Sequence, residues 1–120
     1  MSMVGVLYRR GGNSEAAGFD CSGLVQFIYG ETAAIVLPRR ANEQAQQGIA
    51  LPFEADLQPG DLVFYNTLKR PFSHVGIYVG QGQFVHSPRT GAKVRLERMG
   101  DAYWTRRYEG ARRLMGSPDR

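Results

Sequence analysis

The apolar residues of this 120-residue chain come in short runs, and glycines punctuate the gaps between them. The longest uninterrupted apolar runs are residues 33–37 and 62–65, far short of the ~20 residues that a membrane-spanning helix needs. A transmembrane helix is excluded, and the interior has to be assembled from many short elements. There is material for it. Hydrophobic residues make up 42% of the chain, and six Tyr, six Phe and one Trp give thirteen aromatics, too many for bulk disorder. A chain of this length is of ordinary single-domain size, so one domain over residues 1–120 is expected. It should bury roughly 65% of the surface that its unfolded form exposes.

The first half reads as helical in two places. Residues 22–29 carry Leu24, Val25, Phe27 and Ile28 on one face, with Gly30 placed to end the helix. Residues 39–47 follow Pro38, are rich in Ala, Glu and Gln, and stop at Gly48, which suits a short exposed helix. The second half reads as strands. Pro59-Gly60-Asp61 is a turn signal before the buried-strand run Leu62-Val-Phe-Tyr65. His74-Val-Gly-Ile-Tyr-Val79 and Gln83-Phe-Val-His86 flank a glycine-bearing loop and predict a hairpin. Val94-Arg-Leu-Glu97 alternates apolar and charged, residues 101–107 suit a helical turn, and residues 108–114 a last strand closing the sheet. Helices first and an antiparallel meander after predict an α+β fold.

The chain holds one cysteine, Cys21, and two histidines, His74 and His86. An internal disulfide is impossible, and a metal site on these three residues needs a carboxylate as well. Cys21 falls at the predicted start of the first helix. Unpaired amide N–H groups and the positive end of the helix dipole there favour the thiolate, which is the nucleophile; the alternative is a buried structural cysteine. The histidines stand at the same end of one hairpin. If Val79 pairs with Gln83, His86 falls opposite Gly76, and His74 lies on the diagonal of the same face, within the ~5–8 Å reach of cross-strand neighbours. A one-residue slip would turn one ring away. A thiol, an imidazole and a third polar group form an activated nucleophile, with His74 as base and His86 as orienter. The alternative is one core histidine and one surface histidine.

Charge is uneven along the chain. Residues 1–85 hold six basic and seven acidic residues, a net −1; residues 86–120 hold nine and four, a net +5, giving the overall +4. A basic flank suits anionic partners, or is a solvated arginine surface. A nucleic-acid role would rest on this flank alone and is not expected. Residues 1–7 are too short for a secretory signal, so the chain is expected to be intracellular or a mature or trimmed domain.

Six segments in order resemble the NlpC family of bacterial cell-wall cysteine peptidases: Tyr8-Arg-Arg-Gly-Gly12 with Gly18-Phe-Asp-Cys-Ser-Gly-Leu-Val25, Leu37-Pro-Arg39 with Gln44, Leu57-Gln-Pro-Gly-Asp-Leu-Val63, Ser73-His-Val-Gly-Ile-Tyr78, Phe84-Val-His86, and the ending Tyr103-Trp104 with Gly110-Ala-Arg-Arg113. The resemblance covers the chain from about Met3 to Leu114. It implies a papain-like fold, with the nucleophile helix packed on a mostly antiparallel sheet, and no metal or other cofactor. It implies hydrolysis of peptidoglycan stem peptides, usually between the γ-carboxyl of D-glutamate and a diamino acid such as meso-diaminopimelate. Carried over by motif, Cys21 is the nucleophile, His74 the general base and His86 the polar third member. Tyr8 matches a tyrosine near the thiol that helps bind substrate or the oxyanion. Asp20 and Ser22 match positions associated with substrate recognition, of an N-terminal amine for instance; helix capping is their other role. Arg40 stands where a small hydroxyl residue is frequent in the family; if that position helps form the substrate cleft, the arginine changes its size and charge.

The resemblance therefore predicts a cell-wall D,L-endopeptidase acting in the envelope, periplasmic or secreted. The competing expectations are a papain-like amidase or acyltransferase using the same Cys–His pair, and a non-catalytic module that binds peptidoglycan or an envelope protein.

Overall fold

The nucleating helix owes its start to Asp20, which stands in extended conformation (φ −93°, ψ −175°) and accepts the Gly23 N–H at 2.8 Å, a side-chain cap for one orphan donor. The structure, a computed structural model, describes residues 20–88 and 94–114. Helix α1 runs over Cys21–Ala33 and buries Leu24, Val25, Ile28 and Tyr29, each aliphatic side chain contributing about 1.5–3 kcal/mol by leaving water. Gly30 does not end it, contrary to the sequence expectation. That glycine is exposed with open space around it, so the helix passes through at the ordinary glycine cost of about 1 kcal/mol. The stop comes at Ala34, which turns left-handed (φ 56°) and donates its N–H to the Tyr29 carbonyl.

The second helix is also different from expectation. Helix α2 spans only Ala41–Gln44 and is not fully exposed: Ala41, Gln44 and Ala45 are buried. The Gln44 amide donates to the carbonyls of Pro38 (2.9 Å) and Ser22 (3.1 Å), which ties residues 37–40 to the first turn of α1. Gly48 adopts φ 70°, and a Cβ there would lie 2.3 Å from the Arg113 carbonyl oxygen.

Strands β1 (Ile49–Leu51), β2 (Leu62–Tyr65), β3 (His74–Gly80), β4 (Gln83–His86), β5 (Arg95–Arg98) and β6 (Tyr108–Arg113) form one antiparallel sheet, with α3 (Ala102–Arg107) leading into the last strand. Their order is β1-β6-β2-β3-β4-β5. The expected meander holds from β2 to β5. The final strand does not follow on at its edge; it crosses back between β1 and β2. A half-buried ion pair holds it there: Arg113 grips both carboxylate oxygens of Asp61, at 3.0 and 2.8 Å. Strand β1 has no counterpart in the sequence reading, being three residues long and largely exposed.

The strands bury residues on both faces. Leu62, Phe64, Val75, Ile77 and Val85 pack with α1, whereas Val63, Tyr65, Phe84 and Ala111 pack with Met99 and Trp104 on the other side. Period-two alternation then places His74 and His86 with Phe84 on the Trp104 side. The hairpin keeps the expected register in Ile77↔Val85 and Tyr78↔Phe84, but Gly80, not Val79, pairs with Gln83. The loop is Gln81-Gly82, and the extra residue is taken up as a bulge, which restores the register beyond it.

Candidate active site

Cys21 is the first residue of α1, so its thiol sits at a helix N-terminus as the sequence predicts. Burial nevertheless dominates its ionisation: it pushes the thiol pKa up, and the Asp20 carboxylate adds to that, against backbone hydrogen bonds from Val75 and from the helix start that pull it down. The net shift is upward, away from the thiolate that the helix start favours.

His74 opens β3 and lies almost fully buried, its ring stacked at 5.8 Å on Trp104. His86 closes β4, 1% exposed, with Trp104 at 5.2 Å and Phe84 at 5.1 Å from its ring centre. The hairpin brings the two imidazoles together: His74 Nε2 and His86 Nδ1 are 2.7 Å apart. The aromatic surroundings exclude water, and burial with the neighbouring His86 pushes the His74 pKa down to about 3. Burial also lowers that of His86, although a hydrogen bond to Glu97 and its charge pull the other way. Both rings are neutral at rest.

Cys21 and His74 line the same open cleft, of about 620 Å³. Its rim is cationic. Among the described residues, Arg39, Arg40 and Arg70 line it against the one carboxylate of Asp20. Asp20 is engaged by Arg39 through two 3.0 Å bonds, and Ser22 Oγ accepts from the same guanidinium at 2.9 Å. Burial raises the Asp20 pKa, but the bonds from Arg39 and Gly23 outweigh it, and the net shift is downward. Of the two roles open to these residues, Asp20 caps the helix and Ser22 does not; both hold Arg39 in place. Arg40 occupies the cap position of α2 and donates its backbone N–H to Glu43 at 3.2 Å, leaving its side chain at the cleft. Tyr8 lies outside the described residues. Among the described residues no three His, Cys, Asp or Glu side chains group as metal ligands, and no helix is long and apolar enough to cross a membrane.

Glu97 is the neighbour that sequence reasoning missed. Its Oε2 lies 3.0 Å from His86 Nε2, with Arg95 Nε at 3.5 Å from the same oxygen. The available signal was the alternation of β5: with His86 paired to Arg95, Glu97 falls on the same face, one diagonal away. Alternation alone does not determine that pairing. Trp104 was visible only as part of the resemblance.

A helix carrying its thiol at the first turn, packed on an antiparallel sheet that offers an imidazole to the same cleft, is the papain-like α+β arrangement. The sequence profile of the NlpC/P60 family matches residues 5–113, and the chain belongs to that family. It is 47% identical over 117 residues to murein DD-endopeptidase MepH of Escherichia coli K12, covering 96% of this chain and 43% of that protein. It is 40% identical over 112 residues to the gamma-DL-glutamyl hydrolase of Bacillus subtilis 168, covering 92% of this chain and 27% of that protein. The chain thus spans less than half the length of these relatives. The crystal structure of an NlpC/P60 family protein from Bacillus cereus ATCC 10987 superposes with a TM-score of 0.73 at 36% identity, over 82% of this chain and 32% of that one.

Proposed function

We propose that the chain is a cysteine endopeptidase that hydrolyses peptidoglycan stem peptides at the bond between γ-D-glutamyl and diaminopimelate. The observation that carries this reading is the joint placement of Cys21 and His74 on one open cleft, with His74 tied to His86. The family membership and the hydrolase relatives support the substrate class. The cationic rim supports it too, because stem peptides carry free carboxylates, which guanidinium groups bind well.

In the proposed mechanism Cys21 gives its proton to His74 as the sulfur attacks the scissile carbonyl carbon. The proton transfer and the attack on the carbonyl are coupled. Backbone N–H groups at the start of α1 stabilise the oxyanion, with Tyr8 as a further donor. The tetrahedral adduct collapses, the C–N bond breaks, and His74 passes its proton to the departing amine. A water molecule then gives a proton to His74 and its oxygen to the thioester, the C–S bond breaks, and the proton returns to Cys21. Asp20 and Ser22 act on the substrate through Arg39, which they hold at the rim. The substrate places the site of action in the cell envelope.

A second bond is favoured by one observation, the 47% identity to a protein named as a murein DD-endopeptidase. That name describes cleavage between two D-configured centres. Mass spectrometry of products from un-cross-linked and cross-linked diaminopimelate muropeptides separates the two. Cleavage of un-cross-linked stems between D-glutamyl and diaminopimelate supports the first reading. Conversion of cross-linked dimers to intact monomers, with un-cross-linked stems untouched, replaces it with the second.

A further inference from the structure

The cleft residues account for the thiol and its base, but not for the carboxylate behind them. Glu97 is mostly buried, with 14% of its side chain exposed, and its Oε2 faces His86 Nε2 at 3.0 Å. An ionised carboxylate can only accept hydrogen bonds, and Arg95 Nε lies 3.5 Å from the same oxygen. His86 Nε2 therefore carries its proton toward Glu97. In a neutral imidazole the other nitrogen is then an acceptor, so His86 Nδ1 accepts, and the 2.7 Å contact requires His74 Nε2 to donate. His74 Nδ1 is left as the ring nitrogen with a free lone pair, on a ring lining the cleft with Cys21.

We propose that Glu97 is a positioning residue of the reaction: through His86 it fixes His74 as the Nε2–H tautomer, so that Nδ1 is the base. Without an acceptor at Glu97, His86 is free to take the opposite tautomer and present Nδ1–H to His74. His74 Nε2 must then accept, its proton moves to Nδ1, and no lone pair faces the cleft. The carboxylate has a second effect, since its charge lies two hydrogen bonds from the imidazolium that forms on His74 during the reaction, in surroundings that Trp104 and Phe84 keep dry. This inference rests on the proposed roles of Cys21 and His74, but its first test does not use substrate.

Nitrogen-15 NMR of the histidine rings in the wild-type protein reads the tautomers directly. The expected pattern is a protonated Nε2 and an unprotonated Nδ1 on both His74 and His86; a protonated Nδ1 on His74 overturns the proposal. In Glu97→Leu the His74 and His86 signals should shift toward the Nδ1–H form, and unchanged tautomers in the folded variant also overturn it. On muropeptides, Glu97→Leu should lower kcat by on the order of 10–100-fold, part of what a general base supplies, with KM altered much less. Glu97→Asp should recover part of kcat. A Glu97→Leu protein with wild-type kcat contradicts the proposal. A wild type that shows the expected tautomers yet cuts no muropeptide leaves the positioning role standing and removes the substrate assignment instead.

Discussion

At the scale of single residues, burial sets the direction in which the Cys21 thiol is shifted. The helix start at Cys21 was legible in the sequence, and the dipole argument taken from it favoured a thiolate. What the sequence did not carry was the depth at which the side chain sits and the Asp20 carboxylate next to it; both push the thiol pKa above its ordinary value of 9.0. A partly buried thiol with a raised pKa, sharing its cleft with a buried imidazole of lowered pKa, predicts a specific pH profile. The rate at which iodoacetamide labels Cys21 should climb steadily with pH and level off only above that ordinary value. A rate that is already flat in the acidic range would contradict the account, because it is the signature of a standing thiolate–imidazolium pair. Asp20 and Ser22 were visible as flanking residues, but their shared partner was not. Arg39 is nineteen positions from Asp20 in sequence, and only the fold of residues 37–40 onto α1 brings it there.

At the scale of elements, the β3–β4 hairpin assembles the site. Its strands and the common face of its histidines could be read from period two and the glycine loop. The pairing of Gly80 with Gln83 could not, because a one-residue bulge is a local compromise that alternation does not record. The same hairpin depends on Gly76. A Cβ there would lie 2.6 Å from Phe84 Cδ2 and 2.9 Å from the Val85 carbonyl oxygen, and the second of these is backbone that cannot swing aside. Gly76→Ala should therefore destabilise the protein by about 1–3 kcal/mol, as overpacked sites do, and lower activity by shifting His86 away from His74. Urea unfolding measures this. A change within about 0.5 kcal/mol, the range of inert surface substitutions, would mean that β4 yields more easily than this packing implies. Helix α1 and strand β6 teach a similar lesson. A glycine in open space is no stop signal, and a strand's neighbours are set by tertiary partners such as the Asp61–Arg113 pair.

At the scale of the whole molecule, the buried histidine pair links folding to pH. Both side chains titrate below their ordinary 6.5 when folded, His74 at about 3. The unfolded chain then binds protons that the folded chain refuses. Stability is fully present above about pH 6.5 and falls as the pH drops through the His74 window toward about 3, by up to about 1.4 kcal/mol per pH unit, with His86 adding in the same direction. The urea midpoint should fall across that window, and His74→Gln should flatten the slope. An invariant wild-type midpoint would contradict the burial assigned to the pair. The proposed relay from Cys21 to Glu97 draws on α1, β3, β4 and β5, so it requires the assembled sheet, and its last member was the least legible in the sequence. The central claim is that this assembly makes Cys21 a peptidoglycan-cleaving nucleophile. It is tested most directly by incubating diaminopimelate muropeptides with the wild-type protein and with Cys21→Ala, and identifying the products by mass spectrometry. The account predicts stem-peptide cleavage by the wild type and none by the variant; equal cleavage by both, or none by either, would contradict it.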